Sequence, residues 1–396
     1  MARILMTWEL GAGYGHLAPL LSLARPLQAD GHTVMFAVRD LTGAEAVLGA
    51  SGIPYFQAPA NFAPRRGNMH SYPQILLHTA FQDQDDLSSR ARAWRALYAL
   101  LKPDVLVCDH SPTALLAARG LPLRCVATGN GFVLPPDTTP LPELRAWQAA
   151  DPAELMRDEA QALDRANAVL RALGAAPLTH LAGLFGGVEQ ALFTLKELDN
   201  YADLRRDAAY WGVPPGPAGA EPRWPEGSGK RIFVYGQPFE GLAQVLTDLG
   251  ESGHRSLVYI PKLALEERTR LQSARLHFTD TLLDMTTVSR ECDCAVMTNG
   301  HGTTAAMLLA GKPVLLLPQH LEMLLIAESV RAQGAGLSAP ALNPDAIRAK
   351  VTRLLEEESF TREAQAIAER YRGKAEPTGA LANFRTLITR LAVEAA

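Results

Sequence analysis

Cysteine is scarce in this 396-residue chain, and the four present, Cys108, Cys125, Cys292 and Cys294, include no Cys-x-x-Cys pair. All four lie in or beside apolar, strand-like runs, the pattern of buried thiols in a reducing cytoplasm rather than of disulfides or a zinc site. No apolar run approaches the ~18 residues of a membrane span. Excess charge of one sign is missing as well. A net charge of −4 leaves no electrostatic footprint for nucleic acid or for a strongly anionic membrane. Basic groups such as Arg65-Arg66 and Arg90-Ala91-Arg92 read as solvated surface. The chain opens directly on a strand pattern, with no basic segment, apolar stretch and cleavage site before it, which argues against secretion.

What is present is an ordinary globular composition, 47% hydrophobic and 20% charged, at a length that suits two domains or one large one. Arg3–Trp8, Thr33–Val38, Val105–Cys108 and Arg124–Thr128 read as short buried strands separated by helical patterns, which implies an α/β fold with parallel sheets. Leu17, Leu20, Leu21, Ala24 and Leu27 form one helical face after the first strand. Pro19 fits there if it falls in the first helical turn, where no N–H partner is lost. Residues 212–229 are dense in Pro and Gly and read as a linker between domains spanning 1–211 and 230–396. Past the linker the alternation restarts, with strands at Arg231–Tyr235, Ser256–Ile260, Ala295–Thr298 and Val314–Leu317. From Pro344 onward the pattern is helical.

Two glycine-rich turns carry the chemistry. Met297-Thr298-Asn299-Gly300-His301-Gly302-Thr303-Thr304 leaves an apolar strand and opens a helix, so unpaired N–H groups and the helix's positive end converge where a diphosphate can sit. Gly11-Ala12-Gly13-Tyr14-Gly15-His16 does the same after the first strand, though its G-x-G-x-G spacing departs from the dinucleotide fingerprint. His16 starts a helix at the carboxyl edge of the sheet, where the positive helix end favours the neutral, proton-accepting imidazole. Asp109 reaches the same edge and can orient the ring. Equally, His16 can cap or pack, and Asp109 can cap the next helix.

Together, Gly15-His16-Leu17-Ala18-Pro19, Gly31-His32-Thr33-Val34, Lys102-Pro103-Asp104 with Asp109, and Gly302-Thr303-Thr304 with Ala310-Gly311-Lys312-Pro313, Pro318, Glu322 and Ala327 resemble the UDP-glycosyltransferase superfamily. The match is nearest to bacterial natural-product glycosyltransferases of GT-B fold. The resemblance implies two Rossmann-like domains with parallel sheets facing a central cleft, the last helix being free to cross back to the N-terminal domain. It implies an inverting, metal-independent, cytoplasmic enzyme that moves a sugar from a nucleoside diphosphate, UDP or dTDP, to a hydroxyl of a small hydrophobic or aromatic acceptor. His16 takes the place of the general base and Asp109 that of its partner. The donor side comprises Gly15, Gly236, Gln237, Phe278, Thr298, Asn299, Gly300, His301, Gly302, Thr303, Thr304 and Glu322, with Phe278 the candidate platform for the nucleobase.

Thr298-Asn299 stands where the family has a phosphate-binding histidine, and His301 is the candidate to supply that contact instead. Glu322-Met323 replaces the frequent Asp-Gln; Met323 cannot act as an amide, which favours a weakly polar deoxysugar. The irregular segments 59–86 and 129–150 supply Phe62, His70, Tyr72 and Phe132 as acceptor contacts, unless these serve core packing. His70 and His78 lack nearby carboxylates, so no metal and no cofactor beyond the sugar nucleotide is expected. The expected partners are the nucleotide sugar and its acceptor, with no nucleic acid and no membrane contact, in a monomer or homodimer. Two alternatives remain open: a transferase acting on a lipid-linked acceptor at a membrane surface, and a non-catalytic sugar-nucleotide-binding subunit of another enzyme.

Overall fold

A computed structural model describes residues 1–11, 14–64, 69–216, 218–298, 300–373 and 377–395. The chain divides into two compact units, Met1–Pro215 with Pro377–Ala396, and Gly216–Glu376. The first unit thus takes back the last helix. Residues from Gly216 onward are not a free tether: Ala220 pairs with Leu283, and Trp224 Nε1 donates to Glu291 at 2.8 Å.

In the first unit the order is β1 (Arg3–Trp8), α1 (Tyr14–Ala29), β2 (Thr33–Val38), α2 (Leu41–Leu48), β3 (Tyr55–Gln57), α3 (Tyr72–His78), α4 (Gln84–Leu101), β4 (Val105–Asp109), α5 (Pro112–Ala118), β5 (Arg124–Gly129), α6 (Pro152–Ala172) and β6 (Glu189–Leu192). The six strands are all parallel, in the order β3-β2-β1-β4-β5-β6. Ile4, Met6 and Trp8 alternate onto one face, where Leu17, Leu20, Ala24 and Leu27 of α1 bury them. Period-2 strand and period-3.6 helix therefore meet as the sequence predicts.

α1 starts earlier than Pro19 suggests. With the helix running from Tyr14, Pro19 lies beyond the first turn, as does Pro26. Having no N–H, Pro19 leaves the Gly15 carbonyl without its helical donor, one residue before His16.

The second unit runs β7 (Arg231–Tyr235), α7 (Leu242–Glu251), β8 (Arg255–Tyr259), α8 (Leu265–Leu271), β9 (Leu276–Phe278), α9 (Met285–Glu291), β10 (Cys294–Met297), α10 (His301–Leu309), β11 (Val314–Leu316), α11 (Leu321–Ala332), β12 (Gly336–Ser338), α12 (Pro344–Glu356) and α13 (Glu358–Tyr371). Its six parallel strands take the order β12-β11-β10-β7-β8-β9. This is the same topology as the first unit, with the first and fourth strands adjacent at the centre. α14 (Pro377–Glu394) then joins the first unit's core through Ala380, Phe384 and Ile388. Among the described residues no helix is long and apolar enough to cross a membrane.

Open parallel sheets bind ligands where the chain departs in opposite directions from two adjacent strands. That place is the β1/β4 pair in the first unit and the β7/β10 pair in the second.

Candidate active site

In the first unit Trp8 and Asp109 are register partners at the carboxyl ends of β1 and β4. Both side chains engage His16, on the first turn of α1. The Trp8 ring stacks on the imidazole at 5.4 Å between centroids, and Asp109 Oδ1 lies 3.0 Å from His16 Nδ1. In a neutral ring whose Nδ1–H donates that bond, Nε2 is the proton-accepting nitrogen. Nε2 lies over Gly11, whose positive φ of 97° and absent Cβ make room for it. Both groups are largely withdrawn from solvent.

The turns on either side are braced. Leu10 N donates to His110 O at 3.0 Å, and Trp8 Nε1 donates to Leu10 O at 2.7 Å. His110 occupies the left-handed region at φ 42°, and its ring meets Phe132 edge-on at 6.0 Å. Phe132 is half-buried after β5, on a loop that packs closely against Asp199. A methyl on Gly131 would collide with that carboxylate, which takes hydrogen bonds from Arg205 Nε at 2.6 Å and from the Tyr210 hydroxyl at 2.9 Å.

The acceptor-side residues separate. Phe62 is 62% exposed, with the Arg39 guanidinium 5.1 Å from its ring centroid, and Arg39 Nη1 donates to Glu9 O and Asn61 O. An exposed aromatic is thus moored to the end of β1. His70 is half-buried, its N–H donating to Gln74 Oε1. Tyr72 is only 1% exposed and packs against Phe185, so it is a core residue and presents no acceptor surface. Arg65-Arg66, Ala12 and Gly13 lie outside the described residues.

In the second unit the corresponding place is built from Gly236 and the turn after β10. Thr298 N donates to Tyr235 O at 3.1 Å, and Thr298 Oγ1 accepts from Gln237 N at 2.7 Å. Any Cβ on Gly236 would overlap that hydroxyl. Thr298 is 4% exposed, so it joins two loops rather than presenting a free hydroxyl. Asn299 lies outside the described residues.

Gly300, at φ 108°, caps α10 without a side-chain hydrogen bond; His301, Gly302 and Thr303 form the first turn, whose N–H groups have no helical acceptor. Thr303 and His301 are half-exposed and Gly302 exposed. Thr304 is buried, its hydroxyl donating back to Gly300 O at 2.9 Å, so it closes the turn instead of facing a ligand. The Tyr235 ring lies against Gly300 and stacks on Tyr259 at 5.9 Å. Burial pushes the Tyr235 hydroxyl above its ordinary range, so it stays neutral.

Glu322 is half-buried on the first turn of α11. Met323 is 1% exposed, and the sequence-based inference of a deoxysugar from its apolarity loses its basis. Phe278 ends β9 half-buried against the core of the second unit. Gly15, on the first turn of α1, is exposed with open space around it. Among the described residues no group of three or more His, Cys, Asp or Glu is gathered as for a metal ion.

One constellation escaped sequence reasoning. Glu9, fully buried, accepts from Arg90 Nη1 at 3.0 Å and from Thr113 N at 2.9 Å. Burial pushes its carboxyl up while the Arg90 guanidinium pulls it down. The partners are 81 and 104 residues away, and no local pattern announces such a pairing.

Comparison with known proteins bears on the fold and on the family resemblance. Residues 243–387 match the family described as erythromycin biosynthesis protein CIII-like, C-terminal domain. The elloramycin glycosyltransferase ElmGT of Streptomyces olivaceus is 34% identical over 102 residues, 26% of this chain and 26% of that protein. The matched stretch thus spans about a quarter of that relative. Among solved structures, the glycotransferase of kitacinnamycin superposes with a TM-score of 0.73 at 20% identity, covering 99% of both chains. Glycosyltransferase VinC in complex with DTDP gives 0.67 at 18% identity, covering 99% of this chain and 100% of that one. The fold is GT-B, and the resemblance to bacterial natural-product glycosyltransferases holds.

Proposed function

We propose that this GT-B chain is an inverting, metal-independent glycosyltransferase that moves a sugar from a nucleoside diphosphate to a hydroxyl of a small hydrophobic or aromatic acceptor. The observation that carries the proposal is the His16–Asp109 pair, with Nδ1 beside the carboxylate at 3.0 Å and Nε2 facing Gly11. This is the geometry of an oriented general base.

His16 Nε2 takes the acceptor's hydroxyl proton as its oxygen attacks the anomeric carbon from the side opposite the diphosphate. The new C–O bond forms as the bond to the diphosphate breaks, and the electron pair leaves on the phosphate oxygen. His16 then gives its proton to solvent. Asp109 stabilises the imidazolium during the step.

The charge on the departing diphosphate needs donors that are already oriented. The first-turn N–H groups of α10 and the Thr303 hydroxyl suit that role, with Gly300 permitting close approach and His301 at the rim of the turn. Glu322 suits hydrogen bonding to sugar hydroxyls. A DTDP-bound neighbour of the same fold supports a nucleoside diphosphate as the donor's leaving half. Phe62, moored by Arg39, and Phe132, beside His110, give the acceptor apolar contacts, with His70 a polar neighbour.

A sugar-nucleotide panel assayed with aromatic and polyketide-like alcohols tests the reading. Wild-type protein should transfer sugar with inversion at the anomeric carbon, and His16→Ala should lower kcat by about 10²–10⁴. Nucleotide binding without any transfer or hydrolysis would favour the non-catalytic subunit instead.

A further inference from the structure

Arg90 sits on α4, outside the elements that carry the proposed base and its carboxylate, yet its guanidinium gathers three segments besides its own helix. Nη1 donates to Glu9 Oε1 and to Thr113 Oγ1, each at 3.0 Å; Nε donates to Asp86 Oδ2 at 3.0 Å; Nη2 donates to Ala80 O. Glu9 is fully buried and Arg90 nearly so, and the second Glu9 oxygen takes the backbone N–H of Thr113.

The placement of these groups matters more than their number. Glu9 is the first residue past β1, two before the glycine that faces His16 Nε2. Thr113 lies on the first turn of α5, four residues after Asp109. Ala80 and Asp86 belong to the 59–86 segment on the acceptor side. One buried cation therefore fixes the turn beneath the base, the turn that carries the base's carboxylate, and a segment beside the acceptor.

We propose that Glu9 and Arg90 are positioning residues for the His16–Asp109 pair: they set the separation of the β1 and β4 turns, and through it the His16 Nδ1–Asp109 contact, without touching substrate. This rests on the reading of His16 as a base. A buried ion pair is weak evidence for stability, because desolvation offsets most of its attraction, so a pair with fixed geometry beside a reacting group is better explained by alignment. Alignment is demanding; a displacement of about 1 Å costs on the order of 10²-fold in rate.

Glu9→Gln tests it with little change of shape. Glutamine has one acceptor oxygen where two are needed, so its NH₂ must face either the Arg90 guanidinium or the Thr113 N–H. The turns then shift. Full-length protein labelled with ¹⁵N-histidine, with the His16 signals assigned from His16→Gln, reports the Nδ1–H···Oδ1 bond directly through the ring nitrogen shifts. The measurement needs no substrate.

The expected result is a folded variant whose His16 ring shifts depart from wild type, whose affinity for UDP and dTDP is unchanged, and whose hydrolysis of UDP-glucose or dTDP-glucose falls about tenfold or more in kcat with KM retained. A folded Glu9→Gln with wild-type ring shifts and kcat within twofold overturns the inference. If Glu9→Gln does not fold, Thr113→Val, which removes one Arg90 contact and keeps the Thr113 N–H, is judged by the same two readouts. Altered ring shifts in a protein whose wild type processes no sugar nucleotide would sustain the positioning role and sink the proposed function.

Discussion

Gly11 lies against His16 Nε2, close enough that a methyl group built on its Cα would stand 2.3 Å from that nitrogen. The other ring nitrogen is committed to Asp109. Nε2 is the nitrogen that faces Gly11, and the room it occupies exists because residue 11 has no side chain.

Gly11→Ala should consequently behave as a catalytic lesion. Its backbone at φ 97° adds about 1–2 kcal/mol of strain for any residue with a Cβ. The methyl also pushes the ring away from Asp109 or blocks the approach of a hydroxyl. Transfer should drop by about 10² or more, while binding of nucleoside diphosphate, proposed for the second unit, stays at the wild-type level by calorimetry. An alanine variant with wild-type kcat would show that Nε2 does not face the reacting hydroxyl.

The thiols give a prediction of the opposite kind, an expected inertness. Burial pushes Cys125 up to about 11 and Cys292 up to about 12, and places Cys108 and Cys294 well above the ordinary thiol range. A raised pKa keeps the group protonated, and the neutral thiol is a poor nucleophile. At a pH of about 8, near the free thiol's ~8.5, native protein should react only slowly with a disulfide reagent such as Ellman's. The same reagent should count four thiols once the chain is unfolded. Rapid labelling of Cys108, Cys292 or Cys294 in the native state would contradict their burial.

What the sequence made legible follows from periodicity. The central strands alternate or run apolar against helices with a continuous 3.6-residue face, so β1, β2, β4, β5, β7, β8, β10 and β11 are recognisable from the chain itself. The short strands β3, β6, β9 and β12 are not. Three of these four have three residues, too few to show a period, and their pairing is imposed by the sheet already formed. Among the candidate site residues, the contact between His16 and Asp109 was legible because each stands at the end of a clear strand or at the start of a clear helix.

Tyr72 and Met323 were misread because aromatic or apolar character in a loop-like or motif-adjacent position fits a ligand wall and a core equally well, and only packing decides. The Glu9–Arg90 contact was invisible for a different reason. A charged residue after a strand is ordinary, and its partner is brought to it by tertiary structure alone.

Three threonines near the second glycine-rich turn should separate by role. Thr298 Oγ1 holds Gln237 N, Thr304 Oγ1 holds Gly300 O, and Thr303 is the one with its side chain partly open to solvent. Thr298→Val keeps the shape but removes the acceptor, at a cost of about 1–3 kcal/mol for the stranded N–H. Melting temperature should fall, and KM for the donor should rise because the Gly236-Gln237 and Gly300 turns are no longer tied. Thr304→Val should likewise lower the melting temperature by loosening the first turn of α10. Thr303→Val should do the reverse: stability within about 0.5 kcal/mol of wild type, as for a surface substitution, with donor KM or kcat impaired through the lost hydroxyl. Paired thermal melts and donor titrations on the three variants decide the matter. If Thr303→Val bound and turned over donor as wild type does while Thr304→Val alone lost nucleotide affinity with its melting temperature intact, the diphosphate would have to lie on the buried side of the turn, and the cradle assigned to Gly302 and Thr303 would be wrong.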